Sequence, residues 1–438
     1  MLTRAMGAAP QKQEQPQTQS GSAAGAPDIV WMLGPVSQDE NLDHLPFIAG
    51  AERRLPALRR HPLPVGPAET AQSGTTTAPA VVPGLSLPAT GLSFDGMTQN
   101  EGCGNCLPPN TVGDVGPNHY IQSVNSSIRI HDKSGNVLAG PVTYNAFFAA
   151  MGTSTPCGMN QNQGDGIVFY DHMADRWVVS DFAFPAFPGT SFYQCIGVSK
   201  TGDPVAGGWY LYAVQADPAN PSYLGKDPKF GLWRDAYYLS MNLYASSATF
   251  DGVRVYGLDR NAMINGQPAN AIGFTIAPAA LGDQYGLLPA TWGAGSAPPA
   301  GQPEWFMNIN SSTTAGAVEN QVFVRRFHVD FTTPANSTFG VGAGHTPDGI
   351  VTVNGFVDAF TSATPNLVPN GTTDATQWLD TLGDRLMYPL VYQNLGGTEI
   401  DICHPYDQQY RTDRDPVVPV QRDGKHDPGD AGAAGIVR

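Results

Sequence analysis

Charged residues are scarce in this sequence, and basic residues are scarcer than acidic ones. Only 14% of the 438 residues are charged, and 23 Lys and Arg stand against 38 Asp and Glu, giving a formal net charge of −15 at pH 7. A chain this acidic is repelled by nucleic-acid phosphates and by anionic lipid headgroups. The charge balance therefore argues against nucleic acid as a partner.

Long apolar runs are also missing. No stretch of 18 consecutive apolar residues occurs, so the sequence predicts no membrane span. Residues 1–27 contain no apolar segment of the kind found in a secretory signal peptide. Past Pro79, no long run repeats its apolar residues with the helical period of 3.6, which argues against long amphipathic helices.

Recognisable catalytic motifs are absent. The sequence contains no HExxH zinc motif, no GxSxG nucleophile motif and no D-x-[DN]-x-[DN]-G calcium loop. A glycosidase needs a pair of carboxylates, yet residues 94–399 contain only four glutamates, and most of the aspartates stand at turn corners. We therefore expect no identifiable catalytic site.

Glycine and proline are abundant, with 50 and 38 copies. Residues 164–214 show the pattern most clearly: apolar residues alternate with others around Ile167 and Trp177, and turns such as Asp171–Asp175 and Thr201–Pro204 separate the alternating segments. Short alternating segments joined by tight turns are typical of antiparallel strands. The sequence therefore predicts an all-β fold.

Several segments open alike, with a Gly or Asp corner followed by a β-rich run with aromatic residues. The openings begin at Gly116, Gly164, Trp233 and Gly383, about 50 to 70 residues apart where the spacing can be followed. This repeat favours a propeller-like array of small antiparallel sheets, with a β-sandwich as the alternative.

The composition divides the chain into three parts. Residues 1–90 are rich in Gln, Ala, Pro and Thr and are predicted to be a low-complexity or linker segment. Residues 91–399 are predicted to form the propeller-like domain, which a truncation after Glu399 would leave incomplete. Residues 400–438 lack alternation and are predicted to be a disordered or divergent tail.

Four of the five cysteines suggest two disulfides, Cys103–Cys106 and Cys157–Cys195. Disulfides indicate an oxidising compartment, hence an extracellular, periplasmic or cell-surface location. Free thiols and a four-cysteine zinc site are the alternatives. The missing signal peptide conflicts with export, and a start site assigned too far downstream or a removed leader would resolve that conflict.

Four segments carry a resemblance to a known group of proteins. The segments are PPNTVGDVGPNHYIQSVNSSIRIHDKSGNVLAGP, GDGIVFYDHMADRWVVSDFAF, VSKTGDPVAGGWYLYAV and DPKFGLWRDAYYLSMN. They resemble uncharacterised secreted bacterial proteins with a β-propeller-like repeat region, and the resemblance covers roughly residues 94–399. It implies a propeller-like fold and no particular reaction. Relatives continue into further strands where this chain changes at Ile400, so we expect a C-terminal truncation or frameshift after Glu399.

Candidate ligand-binding residues can be named from their side-chain chemistry. Calcium prefers several carboxylate and carbonyl oxygens, and the candidate calcium ligands are Asp114, Asp165, Asp171 and Asp175, although the same residues also suit turn capping. No other cofactor is expected. Aromatic residues that could stack on sugars include Trp292, and the candidate ligand-binding residues are Trp233, Asp235 and Tyr237, although the sequence favours a place in the core for the aromatics.

These observations favour an exported binding or surface-interaction module that contacts a glycan or a protein surface and has no catalytic site. The alternative is a glycan-acting hydrolase on a propeller scaffold. A carboxylate pair ~5–9 Å apart in a central pocket, beside arginines or aromatic residues, would favour the hydrolase.

Overall fold

The structure is a computed structural model, and it describes residues 18–19, 25–49, 55, 91–104, 106, 109–278, 284–309, 318–357, 366–368, 379–380, 385–405, 418–422 and 435–436. In these ranges β-strands are the main regular secondary structure, and the helices are few and short. None of the helices in the described ranges has the length and apolar character needed to cross a membrane.

Eleven strands precede residue 216. They are β1 (Thr18–Gln19), β2 (Asp28–Trp31), β3 (Leu33–Gln38), β4 (Thr111–Val115), β5 (His119–Val124), β6 (Ser127–Asp132), β7 (Val137–Thr143), β8 (Ile167–Asp171), β9 (Arg176–Ala183), β10 (Tyr193–Ser199) and β11 (Trp209–Gln215).

Fifteen more strands follow in the described ranges. They are β12 (Leu224–Leu232), β13 (Ala236–Tyr244), β14 (Phe250–Asp259), β15 (Asn270–Ile276), β16 (Leu288–Gly295), β17 (Glu304–Ile309), β18 (Val318–His328), β19 (Thr338–Phe339), β20 (Gly349–Val357), β21 (Asn366–Val368), β22 (Leu379–Asp380), β23 (Leu386–Leu395), β24 (Thr398–Pro405), β25 (Val418–Arg422) and β26 (Gly435–Ile436).

The helices are short. Three α-helices, α1 (Gln99–Cys103), α2 (Tyr144–Phe147) and α3 (Arg260–Ile264), lie between strands of the described ranges. Single 3-10 turns cover Leu42–His44, Ala149–Ser154, Pro156–Gly158 and Pro334–Asn336.

Four larger sheets form a propeller-like array, as the sequence predicts. Their strand orders are β4-β5-β6-β7, then β3-β11-β10-β9-β8, then β1-β2-β15-β14-β13-β12, and finally β19-β18-β17-β16-β23-β24-β25-β26 with β20 paired to β18. The pairing is antiparallel throughout except between β16 and β23, which run parallel. In the first three sheets the first strand of the local meander, β4, β8 or β12, lies on one edge, and these edges face a common channel. The sandwich alternative is therefore wrong.

Turn chemistry explains where these strands end. Between β8 and β9, Asp171 Oδ1 accepts hydrogen bonds from the backbone N–H groups of Met173 and Ala174 at 3.0 and 3.1 Å. Between β10 and β11, Asp203 Oδ1 accepts from Val205 N–H at 2.8 Å. Aspartate side chains that bond the backbone two or three residues onward favour turns, as the sequence suggests at these corners.

Two hydrophobic clusters hold the sheets together. One lies between the first two sheets and contains Trp177 and Trp209, and the other joins the second, third and fourth sheets and contains Trp233 and Tyr237. All four of these side chains are completely buried. Large aromatic side chains of this kind supply much of the apolar area buried on folding.

Strands β2 and β3 come from the segment before residue 90, for which the sequence predicts a linker. In the structure β2 pairs with β15, and β3 pairs with β11. Arg254, whose side chain is fully buried, donates to Asp28 Oδ2 at 2.6 Å and fixes β2 to its sheet. These strands escape sequence reasoning because their partners lie far along the chain.

Strands also occur beyond the predicted domain boundary at residue 399. Strand β24 crosses Glu399 and pairs with β23, and β25 pairs with β24, within the segment for which the sequence predicts no strands. The domain boundaries at residues 90 and 399 stay predictions.

Both predicted disulfides are present. Cys103 at the end of α1 bonds to Cys106, and Cys157 in a 3-10 turn bonds to Cys195 on β10. Cys157 and Cys195 are fully buried, and their bond ties the segment before β8 to the second sheet.

Candidate active site

A channel opens where the sheet edges meet. It has a volume of about 850 Å3 and is lined by β4, by β8 and the residues just before it, by β12, and by parts of β16 and β23. Its polar and aromatic lining residues include Asn110, Asp114, Asp165, Tyr170, His172, Asp227, Lys229, Thr291, Trp292 and Tyr388. Three carboxylates therefore reach one cavity from three consecutive sheets.

Three of the lining residues have an unusual backbone. Asn110, Asp165 and Asp227 have φ angles of 43°, 52° and 55°. Left-handed conformations are uncommon outside glycine, although Asn and Asp tolerate them best, and they concentrate at functional sites. Asp165 is held there by two contacts: its N–H donates to Asn125 Oδ1 at 3.0 Å, and its carboxylate accepts from Asn110 Nδ2.

A β-bulge places the charges of β12. The register between β12 and β13 shifts between Lys226 and Lys229, so the strand departs from regular pairing at Lys226-Asp-Pro-Lys229. Bulges bend a strand and redirect its side chains. Here Asp227 and Lys229 line the channel, while Lys226 contacts Asp165 on the neighbouring sheet.

Asp165 and Asp227 share a cation. Lys226 Nζ forms an ion pair with Asp165 Oδ2 and lies 3.8 Å from Asp227 Oδ1. Arg385 Nη1 lies 3.9 Å from Asp227 Oδ2, and Asn242 Nδ2 donates to that oxygen at 3.5 Å. Because both carboxylates lie next to the Lys226 ammonium group, they are close to each other in the lining of the channel.

The local charges set the ionisation of these groups. Burial opposes ionisation of Asp227, but Lys226, Lys229 and Arg385 outweigh it and hold the pKa of Asp227 below its usual value. Burial likewise opposes the charged form of Lys226, yet the Asp165 carboxylate prevails and raises the pKa of Lys226. For Lys229 burial prevails, so its pKa is lowered despite the charges of Asp227 and Asp165.

A buried carboxyl group with a raised pKa lies behind the channel. Asp181 on β9 is fully buried, and its Oδ1 accepts from Gly164 N–H at 2.9 Å. Burial raises the pKa of Asp181 well above its usual range, and the charge of Asp165 adds to this effect. Asp181 does not belong to the channel lining, so this carboxyl group lies outside the cavity.

The third lining carboxylate, Asp114, forms hydrogen bonds with the backbone at the edge of the channel. Asp114 Oδ1 accepts from Val115 N–H at 2.7 Å, and Asp114 Oδ2 accepts from Tyr170 N–H at 2.8 Å. The second bond joins β4 to β8, so Asp114 connects two neighbouring sheets at the channel edge.

Aromatic side chains supply the remaining wall. The ring of His172 lies 4.1 Å from that of Trp292, centroid to centroid, and Lys229 Nζ lies 5.9 Å from the Tyr388 ring centroid. Burial lowers the pKa of His172, which favours its neutral form. Aromatic walls with a few convergent polar groups are typical of ligand-binding pockets.

The structure separates the four predicted calcium ligands. Asp114 and Asp165 line the channel, whereas Asp171 and Asp175 do not. Asp171 is fully buried and accepts hydrogen bonds from Arg260 Nε at 2.7 Å, from Arg260 Nη2 at 3.0 Å and from the Tyr237 hydroxyl at 2.7 Å. Asp175 accepts from the Tyr170 hydroxyl. Within the described ranges no group of three or more His, Cys, Asp or Glu side chains could hold a metal ion, and calcium binding stays a prediction.

The candidate ligand-binding residues lie away from the channel lining. Trp233 is completely buried, with its indole N–H donating to Gln302 O at 3.0 Å, and Tyr237 is buried against Asp171. Asp235 accepts from the Tyr238 hydroxyl at 3.2 Å, and burial raises its pKa. The sequence supports the core alternative for both aromatics, and the structure places them there.

Sequence reasoning missed the charged bulge of β12. The signal was present, since Lys226 and Lys229 are two of only a few lysines and flank Asp227 and a proline at the start of a strand. Taken with its sequence neighbours alone, this charged segment resembles a turn, because the local sequence does not indicate which distant side chains it contacts. Trp292, in contrast, is named from sequence as a possible sugar-stacking residue and lines the channel.

The similarity of this protein to known proteins is a similarity of fold. No protein-family model matches the sequence, and no curated protein sequence matches it. Among solved structures, the Cellvibrio cellulosa α-L-arabinanase complexed with arabinohexaose is similar with a TM-score of 0.33 and 10% identity, over 68% of this chain and 86% of that chain. The exo-β-1,3-galactanase from Phanerochaete chrysosporium has a TM-score of 0.30 and 11% identity, over 67% of this chain and only 56% of that chain. The GH43 endo-arabinanase from Bacillus licheniformis has a TM-score of 0.28 and 14% identity, over 53% of this chain and 79% of that chain.

These findings correct the main functional expectation from the sequence. That expectation is a binding module without a catalytic site, whereas the similar solved structures are glycoside hydrolases and agree with the hydrolase alternative. At such low TM-scores and identities they say nothing about which residues act or on what. The case for catalysis therefore rests on the side chains of the channel.

Proposed function

We propose that the protein is a glycan-acting hydrolase whose reaction takes place in the central channel, with Asp165 and Asp227 as its carboxylate pair. The observation that carries the proposal is the position of the two groups. They come from neighbouring sheets, both line the channel, and both lie beside Lys226 Nζ. Because one ammonium group contacts both carboxylates, we infer that their separation does not exceed the roughly 5–9 Å that glycoside hydrolases use.

The ionisation of Asp227 suits it to the role of base. Its pKa is held below the usual value, so the carboxylate is charged at neutral pH. A charged carboxylate that faces the sugar ring can take a proton from water as the water oxygen attacks the anomeric carbon.

The leaving oxygen needs a proton when the glycosidic C–O bond breaks. Asp165 is the channel-lining carboxyl group that shares Lys226 with Asp227. We infer that Asp165, once it has taken a proton from bulk water, gives that proton to the leaving oxygen, while Asp227 holds the proton taken from the attacking water. Proton exchange with bulk water then restores both groups.

The size and walls of the channel fit a sugar chain. A volume of about 850 Å3 lies in the range of roughly 300–1,000 Å3 that small-molecule sites occupy. Trp292 and Tyr388 offer aromatic faces on the side of the channel formed by β16 and β23. Sugar rings pack their C–H faces on such surfaces, which would place a glycosidic bond near the carboxylates.

We also infer that the protein works outside the cytoplasm. Two disulfides support an extracellular or periplasmic location, because such bonds persist in oxidising compartments. Extended glycans are found in the same compartments.

The proposal is tested by measuring the release of reducing ends from a panel of plant, fungal and bacterial glycans. Asp227→Asn and Asp165→Asn should each lower the rate on any responsive glycan by about 10²-fold or more. Asp203→Asn is the matched control, since Asp203 caps an exposed turn between β10 and β11 and does not belong to the channel lining. Turnover that survives Asp227→Asn, or no turnover across the panel, would overturn the proposal.

A further inference from the structure

The cations around the channel differ in how they are paired. Lys226 and Arg385 stand behind the channel surface beside Asp165 and Asp227. Lys229 is the only Lys or Arg among the described residues that line the cavity. The two carboxylates thus have cations of their own, and Lys229 adds a further positive charge at the surface.

Lys229 has few contacts of its own. Its Nζ donates to the carbonyl oxygen of Pro228 at 3.3 Å and lies over the Tyr388 ring. In the part of the chain that the structure describes, no carboxylate forms a salt bridge with Lys229, although Lys226 and Arg385 both have such partners. An ammonium group has three donors, so Lys229 can make further hydrogen bonds towards the cavity.

Sugar binding would change the surroundings of this ammonium group. A glycan that fills the channel expels the water that solvates Lys229, and an ammonium group that forms no salt bridge is costly to desolvate. A neutral sugar offers hydroxyl oxygens only. A sugar that carries a negative charge would supply a direct salt-bridge partner and would form charge-assisted hydrogen bonds, which are stronger than neutral ones.

We propose that Lys229 selects an acidic glycan by binding an anionic substituent of the sugar, either the carboxylate of a uronic acid or a sulfate ester. This inference rests on the proposed function for the location of the glycan and adds its chemical class. Lys229 lies two residues from Asp227 on β12, so an anion held by it would fix the sugar ring next to the carboxylate pair. The same charge would disfavour neutral glycans.

The test is a binding comparison with three small probes that differ in one group. Titrations followed by NMR would measure the affinity of the full-length protein for D-glucuronate, D-glucose 6-sulfate and D-glucose. We expect at least one charged probe to bind about tenfold or more tightly than glucose, and the stronger of the two identifies carboxylate or sulfate. Equal affinity for all three probes, or binding of none, would overturn the inference.

Three variants test whether Lys229 causes the preference for charged probes. In Lys229→Met the preference should fall to about onefold, and in Lys229→Arg it should be largely retained. Lys200→Met is the matched control, because Lys200 pairs with Asp39 away from the channel lining and its loss should leave the preference unchanged. A preference that persists in a folded Lys229→Met would contradict the inference, and if that variant does not fold, loss of the preference in Lys229→Arg would contradict it instead.

The outcome also separates the two proposals. Cleavage of neutral glycans with no preference for charged probes would leave the hydrolase intact and remove the acidic substrate class. A preference for charged probes without cleavage of any glycan would remove the hydrolase and retain the anion site.

Discussion

Replacing Asp181 with asparagine should make the protein less sensitive to rising pH. Asp181 lies fully buried on β9, and within the described residues its Oδ2 has no hydrogen-bond partner. Burial raises the pKa of this carboxyl well above its usual range, so the folded protein holds it protonated. Asparagine has nearly the same shape, can still accept from Gly164 N–H and cannot ionise.

The sign of the effect follows from proton binding. In the unfolded chain Asp181 has an ordinary pKa of about 4, so above that pH the folded state holds one proton more than the unfolded state. The stability that the protonated group contributes is complete below pH 4 and is lost as pH rises through the folded pKa. One proton that only the folded state binds changes the free energy of unfolding by about 1.4 kcal/mol per pH unit.

Urea unfolding of wild type and Asp181→Asn at pH 5, 6 and 7, with the disulfides intact, measures this difference. The free energy of unfolding of the variant minus that of wild type should rise steadily with pH. Asp330→Asn is the control, because hydrogen bonds led by that from Thr333 N–H lower the pKa of Asp330 and its titration ends below pH 5. A difference for Asp181→Asn that stays flat or falls with pH would refute the reasoning.

Two further predictions concern the buried ion pair and the cysteines. Arg260→Met leaves the buried Asp171 carboxylate without its cation and should destabilise the protein by about 3–5 kcal/mol in urea unfolding. Tyr237→Phe removes only one hydrogen bond to Asp171 and should destabilise the protein by about 1–2 kcal/mol. Equal effects of the two variants would contradict this account. Non-reducing mass spectrometry of protein from its native host should find Cys103–Cys106 and Cys157–Cys195 bonded, and free Cys157 and Cys195 would contradict the inferred export.

The local structure could be predicted from the sequence because it depends on short-range patterns of residues. The alternation around Ile167 and Trp177 predicts strands where β8 and β9 occur, and Asp171 marks the turn between them. Strand period and turn capping involve residues only a few positions apart, so the sequence displays them directly.

Contacts between distant segments could not be read in this way. Strands β2 and β3 look like pieces of a linker because nothing near them announces their partners β15 and β11. Asp227 looks like a turn residue, and its role at the channel depends on Asp165 and Arg385, which come from other sheets. The fold class therefore follows from the sequence, whereas the candidate site requires the arrangement of the sheets around the channel.

The most direct test of the central claim is a crystal structure of Asp227→Asn soaked with the oligosaccharide that the wild-type protein cleaves best. Our account predicts a sugar chain in the channel, with a glycosidic oxygen within reach of Asp165 and a ring against Trp292 or Tyr388. An oligosaccharide bound elsewhere on the protein, with the channel unoccupied by sugar, would contradict it.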